Sequence, residues 1–68
     1  MATWQKVFED SQIYRAKIVK DILSTHGFQS VVVSKKDTAY QFGHYEVHVA
    51  PDDVLPALKL LNEEVKFE

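Results

Sequence analysis

Residues 3–8, Thr-Trp-Gln-Lys-Val-Phe, combine aromatic and β-branched side chains that suit a pleated, half-buried surface, and they predict a first strand. Asp10 and Ser11 then offer helix N-caps, because their side-chain oxygens can accept from free backbone N–H groups. Over residues 12–26 the pattern changes to a 3.6-residue period. Ile18, Val19, Ile22 and Leu23 share one broad side with Ala16 at its margin, and Lys17, Lys20, Asp21 and Ser24 share the other. Gly27 follows, where a left-handed residue closes many helices. Residues 28–34 carry three consecutive valines, Val31, Val32 and Val33, and predict a second strand. In residues 44–50 the alternation is clean. Tyr45, Val47 and Val49 point one way; His44, Glu46 and His48 point the other.

Pro51-Asp52-Asp53 opens a second helix whose apolar side is Val54, Ala57, Leu58, Leu61 and Val65. Pro56 lacks an N–H and is tolerated only in a first helical turn, which favours an N-cap at Asp53, with Asp52 as the alternative. Residues 65–68 alternate and read either as a short last strand or as a helix end. The order β-α-β-β-α, with that short strand to follow, predicts an α+β, ferredoxin-like two-layer sandwich in which both helices cover one face of an antiparallel sheet. The expectation is a single domain over residues 1–68.

Composition narrows this further. The chain has 68 residues, no cysteine and a net charge of −2. Disulfides, thiolate zinc sites and thiol nucleophiles are thereby excluded. Its longest apolar run, the three valines, is far short of the roughly 20 residues of a membrane span. No signal-peptide pattern opens it, so the expected location is cytoplasmic. A nucleic-acid binder shows a basic face and a high pI. Here the pI is about 5.8 and residues 51–68 are acidic, which argues against nucleic acid. A domain this small buries only about 60% of its unfolded surface, and self-association is the usual way to add stability. The expectation is a homo-oligomer.

The chain also resembles a known family over nearly its whole length. The carrying residues are Trp4 with Val7-Phe8, Ala16-Lys17-Ile18-Val19 with Ile22-Leu23, and His26-Gly27-Phe28 leading into Val31-Val32-Val33. Then come Lys35-Lys36-Asp37-Thr38-Ala39-Tyr40 with Phe42-Gly43, Glu46-Val47, and Pro51-Asp52-Asp53-Val54 with Ala57. This is similar to small prokaryotic domains of unknown function labelled as signal-transducing proteins. Their fold is ferredoxin-like and is grouped with the nitrogen-regulatory P-II (GlnB-like) proteins. The resemblance implies a regulatory role, with partner contact through the connection between the second and third strands. No motif carries the P-II nucleotide site onto this chain.

That connection, residues 35–43, is the first candidate site. Nine residues exceed the usual hairpin length of about 2–5, and long loops on a rigid sheet commonly bind partners. Lys35 and Lys36 suit an anionic group, and Tyr40 or Phe42 suits stacking on a ring. Asp37, Thr38 and Gly43 complete the stretch. The structural alternative is a lid: Tyr40 and Phe42 folded onto the core, Asp37 capping a turn and Gly43 supplying positive φ.

A second candidate is the sheet face opposite the helices. If Val7, Val31, Val33, Val47 and Val49 face the helices, then Trp4, Phe8, Phe28 and Val32 join His44, Glu46 and His48 on the open face. So much apolar area suggests self-association; a bulge that tucks Trp4 and Phe8 into the core is the alternative. His44, Glu46 and His48 have metal-ligating chemistry. Yet His44 and His48 lie about 13–14 Å apart along a strand, so the expectation is no metal, unless another strand or subunit helps. His26 is placed to meet the C-terminus of the first helix. With two glycines the chain has no phosphate-cradling loop, and its serines carry no nucleophile signature. The overall expectation is a non-enzymatic interaction or regulatory module without a cofactor. The alternative is a sensor holding a small anionic ligand between subunits.

Overall fold

The structure, a computed structural model, describes residues 3–37 and 42–65, with Asp37 and Phe42 placed by their backbone alone. Those residues form a small α+β fold of three antiparallel strands and two helices. The elements are β1 (Gln5–Asp10), α1 (Ile13–Thr25), β2 (Ser30–Asp37), β3 (Phe42–Val49) and α2 (Val54–Glu64), with a 3-10 turn over Pro51–Asp53. Among the described residues the sheet order is β1-β3-β2, so β3 is central and β1 and β2 flank it as edges. Among the described residues no helix is long and apolar enough to cross a membrane.

Both helix ends flagged by glycine and proline behave as the backbone rules require. Gly27 has φ +85°. Phe28 N–H donates to the Leu23 carbonyl at 2.8 Å and Gly27 N–H to that of Ser24 at 3.0 Å, the paired bonds of a Schellman closure. Phe28 then packs against the core cluster that contains Leu23, so one glycine both ends α1 and hands β2 to the sheet. The His26 Nδ1–H donates to the Ile22 carbonyl at 3.0 Å, as expected of a ring at a helix C-terminus. In α2 the N-cap is Asp53 and Pro56 is the third helical residue. At the start of α1 the cap differs from expectation. Gln12 is the N-cap and makes no side-chain cap bond. Asp10 instead accepts the Gln12 N–H at 2.9 Å and the Arg15 guanidinium at 3.2 Å, and these two bonds lower its pKa.

Ala16, Val19 and Leu23 of α1, Ala57 and Leu61 of α2, and Val47 and Val49 of β3 form the buried core. Two expectations about the helices need correction. Ala16 is at the centre of the buried stripe, whereas Ile18 is 42% exposed; on α2, Leu58 is exposed and Leu60 packs inward. The buried rows follow i, i+3, i+7 from Ala16, which rotates the stripe away from residue 18.

The strands are also displaced from their sequence-predicted bounds. The first starts at Gln5 rather than residue 3 and runs on to Asp10. β2 continues to Asp37 and pairs with β3 in unbroken register, Lys35 opposite His44, Lys36 opposite Gly43 and Asp37 opposite Phe42. The expected nine-residue loop is therefore corrected at both ends: residues 35–37 belong to β2 and residues 42–43 to β3. A polar stretch reads as loop only if strands need a covered face, and here the hydrogen-bonded ladder runs on without one. Gly43 sits in that ladder without positive φ; a Cβ there would lie 3.4 Å from the Lys35 carbonyl oxygen. Thr38 and Tyr40 fall outside the described residues, as does the tail from residue 66 where a last strand was expected. Val65 closes α2 in extended conformation and packs on the core.

Candidate functional site

β3 sets the site because its alternate residues divide the molecule. Tyr45, Val47 and Val49 turn to the helices, and His44, Glu46 and His48 turn away. Antiparallel partners lie on the same face, so the register fixes the rest. Val32 is opposite Val47 and Phe8 is opposite Val47 on the other side. Both belong to the helix-facing layer. Val31 is opposite His48 and Val33 opposite Glu46, so these two are outward.

The expected open-face set is thereby corrected. Phe8, Phe28 and Val32 pack against the core. Phe8 arrives there through a β-bulge: the register shifts between Lys6 and Phe8, and Val7 and Phe8 both reach the core. An extra residue re-aims a side chain in this way. Val32 faces the core rather than the open face, and three consecutive valines carry no alternation of their own that would say so.

The open face instead carries a connected polar group. The Glu46 carboxylate lies between two imidazoles, Oε2 at 2.9 Å from His44 Nε2 and Oε1 at 2.9 Å from His48 Nε2. Adjacent side chains shield it so well that its side chain is only 12% exposed on a face no helix covers. These bonds, His48 first and His44 second, hold its pKa down at about 2. Glu9, the cross-strand partner of Glu46, brings its Oε2 to 3.6 Å from His44 Nε2. Lys6 then pairs with that same Glu9 oxygen at 3.2 Å. Glu9 and Lys6 were not singled out by the sequence. Their signal was the edge-strand spacing i, i+3 across the bulge, visible only once the bulge is known.

A separate cleft of about 340 Å³ opens beside the start of β2. Trp4, Lys20, Ser24, Phe28, Gln29, Ser30 and Val31 line it. The Ser30 Oγ is buried there with no hydrogen-bond partner among the described residues. Trp4 thus belongs with this cleft rather than with the histidine row. Lys35 and Lys36 are exposed on the strand extension, and the side chains of Asp37 and Phe42 lie outside the described set. No protein-family model, curated protein or solved structure matches the chain.

Proposed function

We propose that the domain is a non-enzymatic regulatory module of the cytoplasm with a ferredoxin-like fold, related to the small prokaryotic signal-transducing domains it resembles. It self-associates through the outer edge of β2 and the adjoining open face, and it meets a protein partner through the hairpin that begins at Lys35 and Lys36. The observation that carries this reading is the edge itself. Among the described residues nothing pairs with the outer side of β2, which is eight residues long and contains Val31, Val32 and Val33. A long unpaired strand of this kind is a template for another strand. Val31 adds a side chain 43% exposed on the open face. Among the described residues the sheet order 1-3-2 is compatible with a ferredoxin-like fold, which supports that part of the reading. The non-enzymatic reading draws on Glu46, whose flanking histidines drive its pKa away from the neutral range a general acid or base requires.

Sedimentation velocity of the wild-type chain and of Val31→Lys tests it. The wild type is expected as a dimer or larger, and the exposed lysine is expected to shift it to monomer while the circular dichroism is unchanged. A wild type that stays monomeric at several hundred micromolar overturns the reading.

One observation favours the sensor alternative. The cleft is lined by Lys20 together with Trp4 and Phe28 beside the same edge, where a second copy would close over it. Trp4 is the only tryptophan, so its fluorescence reports on the cleft alone. Quenching by a nucleoside triphosphate that Lys20→Ala abolishes would favour the sensor.

A further inference from the structure

We propose that Glu9, His44 and Glu46 form a binding site for a divalent first-row transition ion of the zinc class on the open face of the sheet. One ligand atom from each of Glu9, His44 and Glu46 lies within 4.8 Å of the other two. Two of the separations are 3.6 Å (Glu9 to His44) and 2.9 Å (His44 to Glu46). Ligands about 2.0–2.1 Å from a tetrahedral ion are about 3.3–3.4 Å apart. The donors therefore need to move by only a few tenths of an ångström on those two edges. Along one strand His44 and His48 are too far apart to share an ion. The geometry replaces the distant histidine with a carboxylate from the neighbouring strand.

Three further features fit an ion. Two carboxylates and one imidazole give a set whose charge balances a dication, and the imidazole selects zinc, cobalt or nickel over magnesium and calcium. The second oxygen of Glu46 is already held by His48 Nε2 at 2.9 Å, the outer-shell bond that orients a ligating carboxylate. Glu9 and His44 are 53% and 42% exposed, so solvent reaches the remaining coordination position. On binding, His44 presents the Nε2 lone pair and carries its proton on Nδ1. The Lys6 ammonium now occupies the cation position beside Glu9, 3.2 Å from Oε2. An ion must displace it, so Lys6 opposes binding. The proposal stands apart from the self-association reading and uses none of its residues except the histidine-row members His44 and Glu46.

The test is calorimetric titration of the untagged, chelator-treated chain with Zn²⁺, and absorbance titration with Co²⁺, whose visible bands intensify at low coordination number. One ion per chain is expected, with no response to Mg²⁺. Glu9→Gln and His44→Gln should each weaken binding at least tenfold. His48→Gln should weaken it less. Lys6→Gln should strengthen it several-fold, an outcome that a purely structural ion-pair network does not produce. His26→Gln, whose ring is engaged by the α1 carbonyl, should change nothing. The exposed positions of Glu9 and Lys6 on β1 keep the test intact if a β3 variant fails to fold. Unchanged affinity in Glu9→Gln and His44→Gln, loss of binding in His26→Gln, or no binding of Zn²⁺ at millimolar concentration would each overturn the proposal.

Discussion

Tyr45, Val47 and Val49 face the helices, while His44, Glu46 and His48, each one residue away, face outward from the same central strand. The inward row is held by contact with Val19, Leu23, Ala57 and Leu61, and such dispersion contacts have no preferred partner. The outward row is held by directional bonds at 2.9 Å, each needing one atom in one place. Val47 and Glu46 are both buried, yet for opposite reasons. One is covered by another layer, the other by its own neighbours along and across the sheet. The contrast separates two means of holding the chain: apolar burial on the inward face and directional bonds on the outward one.

The sharpest way to break that division is in the core. Leu23 is fully buried and also receives the bond that closes α1. Leu23→Ala should cost about 2–5 kcal/mol, against the roughly 3–5 kcal/mol that a core of this size rarely exceeds. Urea denaturation should show little or no cooperative unfolding. A midpoint close to wild type would mean that the inward face is not the core. A finer cut compares two adjacent valines. Val32→Thr places a hydroxyl on the core side and should cost about 1 kcal/mol, whereas Val33→Thr on the open face should stay within about 0.5 kcal/mol. The reverse order would mean that β2 is paired one residue out of register, since a slip of one exchanges the faces.

This pair of valines also marks how far the sequence could be read. The β3 alternation, Gly27 at the close of α1 and Pro56 inside the first turn of α2 were all legible, because each rests on a rule local to a few residues. The face of Val31, Val32 and Val33 was not legible, since only pairing with Val47 decides it. Phe8 needed the bulge at Val7, and a bulge is fixed by the partner strand. The outward row was recognised as metal-like chemistry and set aside on the distance between its histidines. What it lacked was Glu9, thirty-five positions before His44, which becomes a neighbour only through the β1–β3 register. Sites built across strands are hidden from periodicity because the register belongs to both strands at once.

The last test concerns the outward row itself, in a solution containing chelator. Glu46 in the folded chain stays ionised down to about pH 2, because His48 and His44 donate to it, whereas the unfolded chain takes up the proton near 4.5. A lowered folded-state pKa gives stability that is fully present above about 4.5 and disappears as pH falls from there toward 2. Glu46→Gln keeps the shape and cannot ionise, so it should remove that part of the acid dependence. At neutral pH the variant should be less stable than wild type, though by less than Leu23→Ala, and the gap should close as the solution is acidified through this window. Thermal melts of both proteins at intervals from pH 7 to pH 2.5 measure it. A gap that stays constant with pH would mean that Glu46 acts by filling space, like Val47 behind it, and the two faces of β3 would then differ in composition but not in the physics that holds them.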